Sequence, residues 1–359
     1  MTPPMAGQIP TPRRSRDAPP APIRIAAIMP VYNGRLWVEQ ALRSVLSQSI
    51  RPDEIIVVDD GGSDDSMELV RAIAKDEPRI QVVSQVNSGQ SAARNRAVSM
   101  CHSEWIALID QDDIWYPNHL EVLIDAVQDH RGLRLGWAYS DFDDIDIDGR
   151  LVNRDFIEHA KVDNPKRDLT RVLAQGFIIQ PSATLIRREA ILEVGGFDER
   201  LSGYEDDDLF LRIFRADYDN VFVAEPTSQW RIHASSAGGT ARSEESLRIY
   251  SRKVIEMFPD DKWRGHYYRS DVIAPRFISV WLHMYIRASR YKDSAKMRLY
   301  AREAQHLVRY LRPRARITMS TALVLLRQPL FIRIWAGSAG GRSLGWTALA
   351  VWARRMTRL

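Results

Sequence analysis

The segment Trp105–Asp113, which reads WIALIDQDD, decides the fold of this chain. Five apolar residues lead directly into four polar ones, and three of those four are aspartates. A short apolar run bounded by polar residues predicts a buried strand. The aspartates then stand at the carboxyl end of that strand, where an extended backbone puts Asp110 and Asp112 on one side.

Two similar strands precede this segment. Ile25–Met29 is an apolar run that ends at Pro30, and Glu54–Val58 is followed by a pair of aspartates. The residues between the strands predict the helices Leu36–Gln48, Ser66–Lys75 and Ser91–Met100. Strands that alternate with helices predict an α/β fold with a mostly parallel, Rossmann-like sheet flanked by helices. Because ligands bind such sheets beyond the carboxyl ends of the strands, the polar residues there are the candidates for a site.

The chain lacks two phosphate-binding patterns that often accompany such a sheet. No G-x-G-x-x-G follows the first strand, and no P-loop is present, so a dinucleotide-binding enzyme is not expected. Cys101 is the only cysteine, which excludes an internal disulfide framework and a cysteine-based zinc site. Carboxylates are therefore the side chains on which the chemistry of the strand ends depends.

Charge is distributed unevenly along the 359 residues. Residues 1–240 carry 26 Lys and Arg against 38 Asp and Glu, a net of −12, and residues 241–359 carry 24 against 8, a net of +16, which together give +4. The acidic part argues against a nucleic-acid enzyme, and no nucleic-acid partner is expected. Its short acidic motifs indicate a site for a divalent cation, whereas the basic part favours an anionic neighbour such as a membrane surface.

Three regions follow from these patterns. Residues 1–22 hold seven of the 18 prolines and no apolar run, which predicts a disordered arm without a signal peptide. Residues 23–240 form the predicted α/β domain, with later strands expected at Leu135–Ser140, ahead of the acidic stretch Asp141–Asp148, and at Val221–Ala224. Residues 241–359 are predicted to be a mainly helical, basic C-terminal region.

Four motifs carry a resemblance to a known family. They are PVYNG (Pro30–Gly34), VVDDGGSDDS (Val57–Ser66), NSGQSAARN (Asn87–Asn95) with LIDQDD (Leu108–Asp113), and GGFDERLSGYEDDDLFLR (Gly195–Arg212). In this order and spacing, residues 24–240 resemble an inverting family 2 glycosyltransferase with the GT-A fold. Gly62 departs from the family pattern, which usually has a serine there.

The resemblance implies a nucleotide site at the strand ends. It implies that Tyr32 stacks on the base, that Asp60 accepts the imide hydrogen of a uracil, and that Arg94 lies near the base and phosphates. Asp110 is expected near the ribose. Three of these residues have a structural alternative. Tyr32 would be a core or rim tyrosine, Asp60 a turn cap, and Arg94 part of a surface ion pair. The expected nucleotide-binding residues are Pro30, Val31, Tyr32, Asp60, Arg94, Asp110 and Gln111.

The resemblance also implies a metal ion and a general base. Asp112 is the expected direct ligand of Mn²⁺ or Mg²⁺, and His233 in the Trp230–His233 element completes the metal shell. Asp206 maps to the general base, with Glu205 beside it in the acidic run that precedes an apolar helix. The alternatives are a solvated acidic turn, a surface histidine and an acidic helix N-terminus favoured by the helix dipole.

The C-terminal region alternates arginines with apolar segments. Residues 304–359 contain ten arginines, three tryptophans and no acidic residue, yet no 18-residue uncharged apolar span. Two interpretations stay open, an association with an anionic membrane surface and a helical cap packed on the catalytic domain. The expected location is the cytoplasm, with peripheral contact to the inner face of the cell membrane under the first interpretation.

The expected reaction moves a sugar from a nucleotide-diphosphate donor, a UDP-sugar by preference, to a glycan or lipid-linked acceptor of surface polysaccharide synthesis. Two alternatives belong to other classes. A sugar nucleotidyltransferase shares the metal chemistry but usually needs a glycine-rich basic loop, which PVYNGR (Pro30–Arg35) does not provide. A non-catalytic nucleotide- or glycan-binding module would not need both Asp112 and Asp206.

Overall fold

The computed structural model describes residues 22–130, 134–233 and 241–326. Residues 1–21 of the predicted arm and residues 327–359 of the predicted basic region lie outside the described residues. Within those ranges strands alternate with helices up to residue 233, which confirms the α/β class. The boundary expected at residue 240 falls in the undescribed segment 234–240 and stays a prediction.

A single mixed sheet forms the centre of the described part of the chain, with spatial order β3-β2-β1-β4-β8-β6-β9-β5 and with β7 paired to β6. Its strands are β1 (Ile25–Val31), β2 (Glu54–Asp59), β3 (Ile80–Ser84), β4 (Trp105–Leu108), β5 (Ile114–Trp115), β6 (Leu135–Ile145), β7 (Leu151–Asn153), β8 (Thr184–Arg187) and β9 (Asp219–Arg231).

Strand direction decides where the strand ends meet. β1 runs parallel to β2 and β4, and β6 runs parallel to β9. β8 is antiparallel to both β4 and β6, so those two strands point the same way. The carboxyl ends of β1, β2, β4, β6 and β9 therefore reach one edge of the sheet, although β8 separates them into two groups.

Helices cover both faces of this sheet. In the described residues they are α1 (Val38–Leu46), α2 (Ser66–Ala74), α3 (Gln90–Met100), α4 (His119–Asp129), α5 (Phe156–Ala160), α6 (Leu169–Gln175), α7 (Arg188–Glu193), α8 (Glu205–Arg215), α9 (Ala241–Met257), α10 (Ala274–Arg290), α11 (Ser294–Val308) and α12 (Pro313–Leu326). β1 shows why two layers form, because its side chains alternate between the faces. Ala26 and Ile28 join one hydrophobic cluster, and Ala27 and Met29 join the other.

The prediction that a strand ends at Ser140 is wrong. β6 continues to Ile145, and all 11 of its residues are buried, including three aspartates of the acidic stretch. Their carboxylates tolerate burial because they are hydrogen-bonded. Asp141 accepts bonds from the N–H groups of Ile157 and Glu158 at the start of α5, and Asp143 accepts one from the Tyr116 hydroxyl.

Helices α9 to α12 pack on the sheet domain. Tyr250, Phe277 and Trp281 belong to the same buried cluster as Leu209 and Phe210 of α8. This cluster extends into α11 and α12 through Leu307 and Leu323 and a few neighbouring residues. Across the described ranges, the helices are too short or too polar to traverse a bilayer.

Candidate active site

The site lies where the carboxyl ends of β1, β2, β4 and β9 reach one edge of the sheet. Tyr32 follows β1, Asp60 follows β2, Asp110 comes two residues after β4, and His233 comes two residues after β9. Four segments that are far apart in the sequence thus deliver polar side chains to one edge of the sheet. Pro30 and Val31 lie inside β1 and are buried, so they shape the strand end and offer no exposed side chain to a ligand.

Asp112 and His233 are brought together at this edge. The Oδ2 atom of Asp112 lies 2.7 Å from Nε2 of His233, and their side chains are 22% and 8% exposed. The imidazole packs against the indole of Trp37, with ring centroids 4.5 Å apart. Burial, together with the charge of Asp110, raises the pKa of the Asp112 carboxyl above its ordinary value. A nearby cation would relieve that penalty.

Arg231 supports the loop that carries Asp112, a role that sequence reasoning missed. Its Nε donates to the backbone oxygen of Asp112 at 2.9 Å, and its N–H donates to Oδ1 of Asp113 at 3.0 Å. The only sequence signal was its place in the Trp230–His233 element. Asp113 is buried and accepts a further bond from the Ser182 hydroxyl at 2.6 Å, so it supports the turn and faces no ligand.

Arg94 links Asp110, after β4, to Glu205 at the start of α8. Its guanidinium lies 2.6 Å from Oδ1 of Asp110 and 3.2 Å from Oε1 of Glu205, and its side chain is 1% exposed. Burial alone would lower the pKa of Arg94, but the two carboxylates raise it. The surface ion pair considered from the sequence is wrong, because this cation is fully buried between two acidic groups. A contact of Arg94 with a nucleotide stays a prediction.

Gln111 holds the residue expected to stack on the base. Its Oε1 accepts a bond from the Tyr32 N–H at 2.8 Å, and its Nε2 donates to the Tyr32 oxygen at 3.0 Å. Tyr32 itself is 45% exposed, so its ring is free to meet a ligand. Gln111 acts here through the backbone of Tyr32. Gly34 makes this contact possible, since a Cβ there would lie 2.3 Å from Oε1 of Gln111.

We expect the substitution Gly34→Ala to lower the free energy of unfolding by about 1–2 kcal/mol, because it displaces Gln111 and breaks two hydrogen bonds. Gln111→Ala removes the same two bonds by another route. If the two residues act through one contact, the double variant should be as stable as the less stable of the two single variants. Urea denaturation of all three variants checks this, and additive losses would contradict it.

Asp60 holds a loop in place in this structure. It is 3% exposed, and its carboxylate accepts bonds from the N–H groups of Ser88 and Gly89 and from the Gln85 amide, at 2.8–2.9 Å. These contacts correspond to the turn-cap interpretation. They fix the segment that leads into α3, which carries Arg94. Acceptance of a uracil imide by Asp60 stays a prediction.

The acidic run predicted to hold the base starts α8. Glu205 is buried and also accepts a bond from the Gly203 N–H at 2.7 Å. Asp206 is half-buried, and burial, with the charges of Glu205 and Asp207, raises the pKa of its carboxyl well above the ordinary value. A raised pKa is typical of a carboxylate that acts as a base near neutral pH.

The donor set fits a metal ion that also binds its substrate. Among the described residues, no group of three or more His, Cys, Asp or Glu side chains is arranged to hold a metal ion. Asp112 and His233 are two ligands of suitable chemistry. Mg²⁺ and similar ions are commonly held by one or two carboxylates together with substrate phosphates and water. Two protein ligands therefore suit an ion that arrives with a nucleotide diphosphate.

Comparison with known proteins agrees with this geometry. Residues 26–195 match the family model described as Glycosyl transferase family 2. The chain carries a family 2 glycosyltransferase domain. The matched residues include Asp60, Arg94 and Asp112, whereas Asp206 and His233 lie beyond them.

Three proteins illustrate what this chain is similar to. EpsH of Bacillus subtilis is 28% identical over 238 residues, which are 65% of this chain and 65% of EpsH, slightly less than two thirds of that protein. TarS residues 1–349 of Staphylococcus aureus, crystallised with UDP-GlcNAc, superpose with a TM-score of 0.61 at 14% identity over 85% of this chain and 90% of theirs. The mannosyltransferase PcManGT of Pyrobaculum calidifontis, in complex with GDP-Man and Mn²⁺, gives 0.52 at 18% identity over 93% and 83%. The two structures share the GT-A type of fold with this chain.

Proposed function

We propose that this protein transfers a sugar, with inversion, from a UDP-sugar to a hydroxyl of a glycan or lipid-linked acceptor in polysaccharide synthesis. One observation carries the proposal. The pair Asp112–His233 stands at the strand ends, and the buried Arg94 links its loop to the acidic start of α8. The contacts of Arg94 thereby connect the loop of a candidate metal ligand to the helix that carries a candidate base.

The donor half of the proposal rests on Asp112, His233 and Tyr32. TarS with UDP-GlcNAc and PcManGT with GDP-Man and Mn²⁺ support a nucleotide-sugar donor, since they have the same type of fold. The exposed ring of Tyr32 offers a surface for a base. Asp112 and His233 would hold Mn²⁺ or Mg²⁺, which supplies positive charge to the departing diphosphate.

The acceptor half rests on Asp206. In the proposed single displacement, the Asp206 carboxylate takes the proton of the acceptor hydroxyl while the hydroxyl oxygen bonds to the anomeric carbon. The bond from that carbon to the diphosphate breaks, and its electron pair leaves with the nucleoside diphosphate. Glu205 does not share this role, because Arg94 and the Gly203 N–H already occupy its oxygens.

A donor-hydrolysis and transfer assay tests this function. UDP-, GDP- and TDP-sugars are incubated with the full-length protein, with and without Mn²⁺, and the released nucleoside diphosphate is measured. We expect metal-dependent release of UDP. Release of pyrophosphate from a sugar phosphate and UTP would identify a nucleotidyltransferase instead. Metal-dependent binding of UDP without any release from UDP-, GDP- or TDP-sugars would identify a binding module.

We also propose that the C-terminal region associates with an anionic membrane surface. Two features of the described residues support this. The side chain of Trp263 is 100% exposed, and its loop is closed by paired backbone hydrogen bonds between Asp261 and His266. Exposed arginines begin α12, whose inner side packs in the core through Met319 and Leu323. Helical packing and membrane contact are therefore compatible.

We expect the double substitution Arg314→Gln and Arg316→Gln to weaken binding to phosphatidylglycerol vesicles about thirtyfold at low salt, because each exposed arginine contributes about 1 kcal/mol. High salt should reduce the difference, since it screens exposed charges. Vesicle sedimentation of the full-length chain measures it. Arg43→Gln, on the exposed face of α1, is the matched control and should bind normally. Equal vesicle binding by the unmodified protein, the double variant and Arg43→Gln would contradict the membrane interpretation and favour the helical cap.

A further inference from the structure

We propose that the C-terminal helices α9 and α10 position the general base, with Lys253 and Arg276 as positioning residues that hold the start of α8. The inference rests on the proposed role of Asp206 and adds a function for residues beyond the family 2 domain. Each cation pairs with one of the two carboxylates that follow Asp206 in the sequence.

Helix α9 presents one face to the segment before α8. Ser246, Tyr250 and Lys253 are spaced i, i+4 and i+7, so they lie on the same side of the helix. The Ser246 hydroxyl accepts a bond from the Ser202 N–H at 2.8 Å. The ring of Tyr250 stacks on that of Tyr204, with centroids 5.6 Å apart and an angle of 18° between the planes. This face of α9 therefore contacts Ser202 and Tyr204, in the segment that leads directly into α8.

Lys253 completes the same face with a buried ion pair. Its Nζ lies 2.7 Å from Oδ1 of Asp208 and 2.7 Å from Oδ2 of Asp198. The Asp208 side chain is 0% exposed, and its other oxygen pairs with Arg212 of the same helix. A buried carboxylate is costly unless it is paired. Asp208, two residues after the proposed base, thus takes one of its two cationic partners from α9.

Arg276 acts on the other neighbour of the base. Its guanidinium lies 3.4 Å from Oδ2 of Asp207 and 3.2 Å from the backbone oxygen of Leu173. The second oxygen of Asp207 accepts a bond from the Phe177 N–H at 3.1 Å. Gly176 leaves room for this contact, because a Cβ there would lie 2.7 Å from the Arg276 guanidinium. The absence of a side chain at Gly176 therefore leaves space for the Arg276 guanidinium of α10.

The arrangement affects the proton affinity of the base as well as its position. The charged and titratable groups around Asp206 are Glu205, Asp207 and Asp208 on α8, Arg94 on α3, Tyr204 before α8, Tyr250 and Lys253 on α9, and Arg276 on α10. Lys166 also faces Asp207. Arg276 offsets the negative charge of Asp207, and that charge raises the pKa of Asp206. Loss of Arg276 should therefore make Asp206 harder to ionise.

The decisive experiment measures the pH profile of kcat/KM for Arg276→Gln in the full-length protein. A base works only when ionised, so activity is present above the pKa of Asp206 and is lost as the pH falls through it. We expect the acid limb to move to higher pH by about one unit, since an uncompensated like charge remains next to the base. The double substitution Arg276→Gln and Asp207→Asn removes that charge and should move the limb back. The position of the limb does not depend on how much of the protein is folded.

A second arm uses Lys253→Met, with Arg252→Gln as the matched control. Arg252 is the preceding residue on α9 and pairs with Glu303 of α11, away from α8. We expect Lys253→Met to lower kcat at least tenfold with unchanged UDP affinity, Lys253→Arg to recover part of that loss, and Arg252→Gln to have little effect. An unshifted acid limb in Arg276→Gln, or equal losses in Lys253→Met and Arg252→Gln, would overturn the inference. Full activity of Asp206→Asn would instead overturn the assignment of the base.

Discussion

Replacing Asp206 with asparagine is expected to lower the turnover of the proposed sugar transfer by about a hundredfold or more, the usual scale for the loss of a general base. The amide keeps the size of the side chain and its bond from the Asp207 N–H, so α8 should still form. It cannot accept the proton of the acceptor hydroxyl. UDP affinity should stay near that of the unmodified protein, because the proposed role of Asp206 is to bind the acceptor hydroxyl and not the nucleotide.

Two measurements check this expectation. Turnover is followed by release of UDP in the presence of acceptor, and UDP affinity by calorimetric titration. Asp125→Asn, an exposed aspartate of α4, serves as the control and should change neither quantity. Because the pKa of Asp206 is raised, the unmodified enzyme should lose activity at a pH above the range typical of exposed carboxylates. A parallel collapse of UDP affinity in Asp206→Asn would assign Asp206 to the donor site.

Asp112→Asn is expected to lower UDP affinity in Mn²⁺ at least tenfold and turnover by about a hundredfold or more. The substitution removes one anionic ligand of the proposed metal ion, which would contribute several kcal/mol to stabilising the departing diphosphate. The fold should survive, since an amide oxygen can still accept a bond from the His233 imidazole that lies 2.7 Å away. The difference between the variant and the unmodified protein should shrink once the metal is removed with EDTA.

Calorimetric titration with UDP, with and without Mn²⁺, measures the metal-dependent part of the affinity directly. His233→Gln should show a smaller loss of the same kind, because it removes a neutral ligand. Asp125→Asn again controls for a general effect of losing one negative charge. If Asp112→Asn binds UDP with the same metal dependence as the unmodified protein, Asp112 is not a metal ligand.

Several residues of the site could be placed from the sequence because strand ends are easy to recognise. The apolar runs before Pro30, Asp59 and Asp110 predicted strands, and β1, β2 and β4 occupy those positions. Parallel strands deliver their carboxyl ends to one edge, so the polar residues that follow them had to be neighbours. The resemblance implied that Asp112 and His233 bind one metal ion; their side chains lie 2.7 Å apart, and the metal ion itself stays a prediction.

Other contacts had no signal along the chain. The strand was expected to end at Ser140, before the acidic stretch, because a sequence does not tell whether a carboxylate will meet the N–H groups of a helix, as Asp141 does with α5. Gln111 was expected to bind a nucleotide, which stays a prediction, but the sequence does not reveal that both ends of its amide bind the backbone of Tyr32. Side-chain hydrogen bonds over 79 residues of sequence leave no periodic pattern to read.

The sequence by itself determined the α/β order of elements, the family, and the acidic residues that form the candidate site, because burial periodicity and short motifs are local properties of the chain. Only the tertiary structure decided what each charge does. Arg94 pairs with groups 16 and 111 residues away, and Lys253 and Arg276 reach α8 from helices that follow the family 2 domain. Such pairs form because a charge buried by packing needs a partner, and packing is set by the whole fold.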